Sequence, residues 1–170
     1  MAFLFALLVV LVKVGLVALA SVRLVPYGHE WTVERFGRHC RTLRPGLNLI
    51  IPGVESVRHR INVMSRQVEV RRHNVLSADN AMVGADAHCS YRVSDAALAG
   101  EKLEDVDLSM HDLVLRRIGE VLSSLELAAL MGNRALINSL VTAKIEAVAG
   151  SWGVKIDDFE FSRLRHLPLR

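Results

Sequence analysis

The sequence is poor in the residues on which several other architectures depend. Two cysteines in 170 residues cannot build a disulfide framework, and a chain of this size folds without one. Four prolines and eleven glycines exclude collagen-like or linker-dominated architecture. Aromatic residues are only 5%, and those in the basic part (Tyr27, Trp31, Phe36) form no nucleic-acid-binding motif. Lysine is absent from residues 23–73, where all ten cations are arginine. There is no G-x-S-x-G, no G-x-x-x-x-G-K-[ST] and no H-E-x-x-H, so the common nucleophile, phosphate-loop and metalloprotease signatures are missing. What is abundant is apolar: 51% hydrophobic against 23% charged, with a mean hydropathy of +0.29. Disorder is excluded on that balance, and a purely cytosolic enzyme is disfavoured.

Most of the excess hydropathy lies in Met1–Val22, MAFLFALLVVLVKVGLVALASV, broken only by Lys13 and Ser21. As a helix it is about 33 Å long, matching a hydrocarbon core of roughly 30 Å. A mid-membrane lysine costs roughly 2.5–3.5 kcal/mol, which the apolar neighbours offset. Lys13 reads either as a snorkelling side chain or as a contact to a neighbouring helix or lipid headgroup. A secretory signal peptide is the competing reading, because Ala18-Leu19-Ala20 supplies an A-x-A-like cleavage site. Against it stand an n-region without Lys or Arg and the interruption by Lys13. The sequence thus favours a retained single-pass anchor. Its alternative is a soluble binding domain released by cleavage after Ala20. Arg23, Arg35, Arg38, Arg41 and Arg44 follow the span, which by the positive-inside rule places the C-terminal part in the cytoplasm.

Charge is unevenly spread. Residues 23–73 set ten arginines against Glu30, Glu34, Glu55 and Glu69, whereas residues 74–162 hold fourteen acids against seven bases. The basic half beside an apolar segment points to an anionic surface such as lipid headgroups. Neutralisation of basic by acidic faces, within or between subunits, explains the same pattern. Arg23, Arg35, Arg38, Arg41 and Arg44 are the candidate membrane-proximal basic surface.

Hydrophobic periodicity and turn signals divide the rest. Residues 23–29 read as a connector with a Pro-Tyr-Gly turn. A strand over 30–36 is expected to bury Trp31, Val33 and Phe36 and to turn Thr32 and Glu34 outward. Strands are also predicted at Leu47–Ile51, 55–63, 66–71 and 81–93, with turns at Arg44-Pro45-Gly46 and over 76–80. Helices are predicted over 96–104, capped by Asp95 or Ser94, and over about 106–131, with Met110, Val114, Ile118, Val121 and Leu125 on one stripe. A third helix follows Asn133, with Ile137, Leu140, Val141, Ile145 and Val148 on one face. Gly150 and Gly153 flank Trp152 before a last strand, Val154–Phe161. Strands, then helices, then a strand predict an α+β fold, mostly antiparallel sheet with helices packed on one face.

Candidate chemistry is thin. His39-Cys40 and His88-Cys89 are adjacent pairs, and neighbours on a strand face opposite ways, so neither pair supplies two ligands to one zinc. Asp86 and His88 share a strand face at i, i+2, and Asp157-Asp158 is a paired acid at a strand start; both are also ordinary polar patterns. No catalytic, cofactor or metal constellation emerges. A membrane-tethered enzyme or protease subunit would need a convergent polar pocket that the sequence does not display.

One set of motifs, in order, is familiar. Val25-Pro26-Tyr27-Gly28, Glu34-Arg35-Phe36-Gly37, Leu43-Arg44-Pro45-Gly46, Ile51-Pro52, Ser77-Ala78-Asp79-Asn80, Val93-Ser94-Asp95-Ala96, Arg117, Leu122 to Leu127, Asn133-Arg134 and Trp152-Gly153-Val154 follow one another from Val25 to about Phe161. Together they resemble the SPFH or band 7 superfamily of stomatin, prohibitin, flotillin and HflK type, and most of all the bacterial stomatin-like membrane proteins of the QmcA type. The resemblance implies a transmembrane anchor (1–22), a connector (23–29), an SPFH domain (30–162) and a basic tail (163–170). It implies an oligomeric scaffold of the bacterial inner membrane rather than an enzyme, without cofactor or nucleic acid. Its implied partners are the lipid bilayer, copies of itself or longer SPFH proteins, and a membrane protease or an NfeD-like membrane protein. Relatives continue into a long coiled coil, and residues 161–170 (FSRLRHLPLR) hold no heptad. Weak, salt-sensitive self-association is the expectation that follows.

Overall fold

The computed structural model describes residues 2–167, and the chain divides into two compact units, Met1–Val63 and Met64–Arg170.

The first unit opens with helix α1 (Ala2–Ser21), followed by β1 (Val22–Val25), β2 (His29–Arg35), β3 (Arg38–Leu43), β4 (Gly46–Leu49) and β5 (Glu55–Asn62). β1 and β4 form an antiparallel ribbon, and β3-β2-β5 form a second antiparallel sheet. The residues expected to be a connector therefore include a strand, and β3 occupies a stretch in which no strand was expected. The reason is the loop between β2 and β3. Phe36 and Gly37 have φ of 51° and 78°, and Arg35 pairs with Arg38, the two-residue hairpin geometry in which both central residues are left-handed. Phe36 is therefore 84% exposed, not part of the core. Thr32 is buried, not outward: register slips at Thr32/Val33 and Val33/Glu34 break the alternation, and its Oγ1 accepts from the His59 amide at 3.1 Å. Val25, Val33, Leu43 and Ile50 form the small core of this unit, with Trp31 and Val57 packed on it. Arg60 stacks its guanidinium 4.6 Å from the Trp31 ring centre.

The second unit has a three-stranded antiparallel sheet, ordered β6 (Arg66–Leu76), β7 (Met82–Val93), β8 (Val154–Leu167). Between β7 and β8 come α2 (Ala96–Lys102), α3 (Val106–Ser124), α4 (Leu127–Gly132) and α5 (Arg134–Ala149), then a 3-10 turn at Gly150–Trp152. α3 packs on β6 and α5 on β8. β7, the central strand, buries alternate residues Val83, Ala85, Ala87, Cys89, Tyr91 and Val93. The helices contribute Met110, Val114, Ile118 and Val121 from α3 and Ile137, Val141, Ile145 and Ala149 from α5. Leu140, expected on that stripe, is 39% exposed, because the i, i+4 row that faces the sheet runs through Ile137, Val141 and Ile145.

The single helix expected over 106–131 is two. α3 stops at Ser124, and Leu125 and Glu126 are extended. The Leu125 carbonyl accepts from the Ala78 amide at 3.0 Å, and the Asp79 carboxylate accepts from the Leu127 amide at 3.3 Å. A distant turn thus captures groups that a continuous helix would have used. β8 also runs past Phe161, with Leu164 against Ala85 and Leu167 against Met82, so residues 163–167 of the expected tail are strand. Residues 168–170 lie outside the described residues. The fold is α+β with every described strand pairing antiparallel.

Candidate functional site

In the first unit the apolar sequence of α1 runs directly into β1. The Ile50 amide donates to the Ser21 carbonyl at 2.8 Å, fastening the helix end to the segment after β4. Directly opposed residues of an antiparallel pair point to the same face. Val22 opposes Leu49, and Leu24 opposes Leu47. These four aliphatic side chains therefore share one face of the ribbon, and they are 43%, 65%, 67% and 78% exposed for Val22, Leu49, Leu24 and Leu47. The other face carries Arg23, Asn48 and the buried Val25. A contiguous exposed aliphatic patch of this kind marks a surface that meets another apolar phase. The described side chains of α1, among them Phe5, Leu8, Leu11, Leu16 and Leu19, are exposed as well. The expectation of a membrane span at Met1–Val22 falls partly on residues outside the described set, namely Met1 and the side chains of Ala2, Phe3, Leu4, Ala6, Val14 and Val17. Among the described residues no helix is long and apolar enough to cross a membrane.

The structure divides the five arginines of the expected basic surface. Arg35 and Arg41 converge on Glu55, at 2.7 and 3.1 Å, and the Ile51 amide donates to the same carboxylate at 3.0 Å. The Glu55 side chain is only 2% exposed. The Arg35 hydrogen bond, seconded by the Ile51 amide, pulls its carboxyl down to about 2, so it is ionised throughout the physiological range. Arg41 also donates to the Leu49 carbonyl. One buried anion thus ties β2, β3, β5 and the segment after β4 together. Arg23, Arg38 and Arg44 are exposed and have no ion pair among the described residues. Glu55 was missed in the sequence, although the signal was there: it is the only acid among seven arginines in residues 35–68. Beside it lies an apolar pocket of about 640 Å³ lined by Ala18, Leu49, Ile50, Ile51 and Pro52, with Cys40 and the Arg35–Glu55–Arg41 cluster at its edge.

The other candidates do not assemble into chemistry. Asp86 accepts from the Arg72 amide at 2.6 Å, and His88 contacts Ser162 at 3.1 Å and Glu160 at 4.0 Å, so the i, i+2 pair is engaged separately. Asp157 takes Ser65 at 3.1 Å and Arg92 at 3.4 Å. Cys40 is exposed and Cys89 buried, and burial pushes the Cys89 thiol up to about 12. No group of three metal-ligating side chains comes together among the described residues.

The motif residues instead close structural junctions. The Gly153 carbonyl accepts from the Ser94 and Asp95 amides at 2.8 and 3.0 Å and from the Ser94 hydroxyl at 2.9 Å. Asp95 in turn caps α2 by accepting from the Ala97 and Leu98 amides. Val93-Ser94-Asp95-Ala96 and Trp152-Gly153-Val154 are two halves of one knot. Ser77-Ala78-Asp79-Asn80 is a turn with Asn80 at φ 58°, in which Ser77 holds Asp79 for the Leu127 amide.

These features define an α+β domain behind an apolar N-terminal helix, with its sequence signature spent on turns and caps. The chain belongs to the SPFH domain / Band 7 family, whose model matches residues 23–166. It is 28% identical over 156 residues to the mitochondrial stomatin-like protein 2 of Homo sapiens, covering 92% of this chain and 44% of that protein. It is 29% identical over 132 residues to a protein of Methanocaldococcus jannaschii, covering 78% and 66%. A stomatin-like protein of Caenorhabditis elegans matches at 23% over 139 residues, covering 82% and 43%. The chain thus spans less than half the length of the two stomatin-like relatives and about two thirds of the archaeal one.

Proposed function

We propose that this protein is a membrane-anchored, self-associating scaffold of the stomatin type, not an enzyme, that organises membrane microdomains and modulates membrane proteins or proteases. The observation that carries the reading is the exposed aliphatic face of the β1–β4 ribbon, continuous with the apolar sequence that precedes it. Such a face is costly in water and favourable against acyl chains. Met1–Val22 serves as the single-pass anchor in the bacterial inner membrane, and the rest of the chain is cytoplasmic. Arg23, Arg38 and Arg44, free of ion pairs among the described residues, supply cations to anionic headgroups, each worth about 1 kcal/mol near the surface. Opposite net charge in residues 23–73 and 74–162 supports head-to-tail contact between copies or with longer SPFH proteins. A membrane protease or an NfeD-like membrane protein is the partner class to seek by co-purification.

Membranes from cells making the full chain, washed with alkaline carbonate, should retain the protein. A periplasm-dependent reporter fused after Arg170 should be silent. Release by carbonate would overturn the anchor, and an active reporter the orientation. A mature N-terminus beginning at Ser21 by mass spectrometry would replace the reading with that of a released binding domain.

A further inference from the structure

Arg163 and Arg165, expected to lie in a tail, are carried by β8 to the side of a distortion in β6. Between Val70 and His73 the register to β7 slips, setting Arg71 and Arg72 together against the single residue Asp86. Arg72 sits at φ 54°, a left-handed conformation uncommon for a side-chain-bearing residue. Its amide donates to Asp86 at 2.6 Å, so a carboxylate on the neighbouring strand holds the bulge in place. Across β7, a second slip after Asp86 sets Arg163 opposite Asp86 and Arg165 opposite Gly84. Arg163 and Arg165 are exposed, and they lie on the same side of the sheet as Asp86, away from the helices. Bulges re-aim side chains, and here two of them bring residues ninety positions apart in the sequence to one groove of about 460 Å³.

We propose that this groove binds a phosphate-type polyanion, such as a diphosphate or the phosphomonoester of a lipid headgroup. Four guanidiniums (Arg71, Arg72, Arg163, Arg165) face two carboxylates (Glu69, Asp86), an excess of two positive charges. Both carboxylates are already engaged: Glu69 pairs with Arg71 at 2.7 Å, and Asp86 takes the Arg72 amide. The guanidiniums of Arg72, Arg163 and Arg165 have no ion pair among the described residues. Planar guanidinium forks match phosphate oxygens bidentately, which lysines do not. The remaining lining is Val70, Ala87 and Ser162, with no aromatic ring on which a base could stack. Recognition therefore falls on the phosphate itself rather than on a nucleoside. The groove lies wholly within the second unit and does not depend on the membrane reading.

Calorimetric titration of the detergent-purified full chain with sodium pyrophosphate at low salt tests the site. Saturable binding is expected, weakened at least tenfold in the double variant Arg163→Gln/Arg165→Gln. Glu69→Gln, which releases Arg71, should tighten it at least threefold. The charge-matched control Arg116→Gln/Arg134→Gln should bind like the parent. Displacement of pyrophosphate by dioctanoyl phosphatidate alone assigns a lipid source, and displacement by inorganic phosphate a soluble one. Absence of saturable binding, unchanged affinity in Arg163→Gln/Arg165→Gln, an equal loss in the control, or displacement by neither phosphate compound would overturn the proposal.

Discussion

Gly153→Ala should be among the most damaging single-methyl additions to the second unit, and Gly150→Ala, three residues earlier, should not be. Gly153 sits at φ 73°, where an L side chain is strained by roughly 1–2 kcal/mol. A Cβ there would lie 2.7 Å from the Asp95 carbonyl oxygen, 3.0 Å from the Asp95 Cβ and 3.1 Å from the Leu98 Cβ. The nearest atom is backbone, so relief requires pulling Asp95 away from Gly153. That separation loosens the bonds from Ser94 and Asp95 to the Gly153 carbonyl, each worth about 1 kcal/mol net. Strain plus partial loss of these bonds gives about 2–4 kcal/mol. For a chain of this size that lowers Tm by roughly 4–16 °C. Gly150, by contrast, has φ −58°, and a methyl added there would meet nothing within 4 Å. Alanine there restricts the unfolded chain and stabilises by about 0.4–1 kcal/mol. Thermal melts of both variants followed by circular dichroism in detergent decide the matter. An unchanged Tm for Gly153→Ala, or equal losses for the two variants, would refute the knot between the strand–helix junction and the last strand.

Gly46, at φ 120° with open space around it, should cost about 1–3 kcal/mol as Gly46→Val from backbone strain alone, read as a lowered denaturation midpoint. Glu55 is held below its ordinary range, so its contribution to stability is present above about pH 4.5 and is lost as pH falls toward about 2. Acid titration of unfolding should therefore show a loss in that window that Glu55→Gln lacks; an identical acid profile in the variant would disprove the buried anion's role. Cys40 should react with a thiol reagent in the native protein and Cys89 only after unfolding, giving one labelled site by mass before denaturant and two after.

Motif order and spacing were enough to place the chain in its family, because each motif is a short turn, cap or junction whose residues stand together in sequence. Asp95 and Asn133 cap helices at the next residue; such geometry depends on neighbours in sequence. Helix stripes such as Met110, Val114 and Ile118 were legible for the same reason, since a 3.6-residue period declares which side is covered. The apolar run of Met1–Val22 and the arginine-rich stretch after it are likewise properties of composition.

Tertiary structure alone decided the rest. Phe36 was expected in the core as an aromatic residue of a strand, yet the hairpin needs a left-handed residue there and turns it to solvent. The division between α3 and α4 is made by Asp79, which sits on a turn 48 residues away from the amide it accepts. Which arginines remain free depended on Glu55, whose carboxylate is reached by Arg35 from β2 and Arg41 from β3 once both strands are folded around it. The basic groove of Arg72, Arg163 and Arg165 needed two register slips in one sheet, and register is set by pairing between strands. Periodicity and capping act over one or two turns of chain, whereas convergence of charge acts through space, and the backbone path that brings the charges together is written in no single stretch of the sequence.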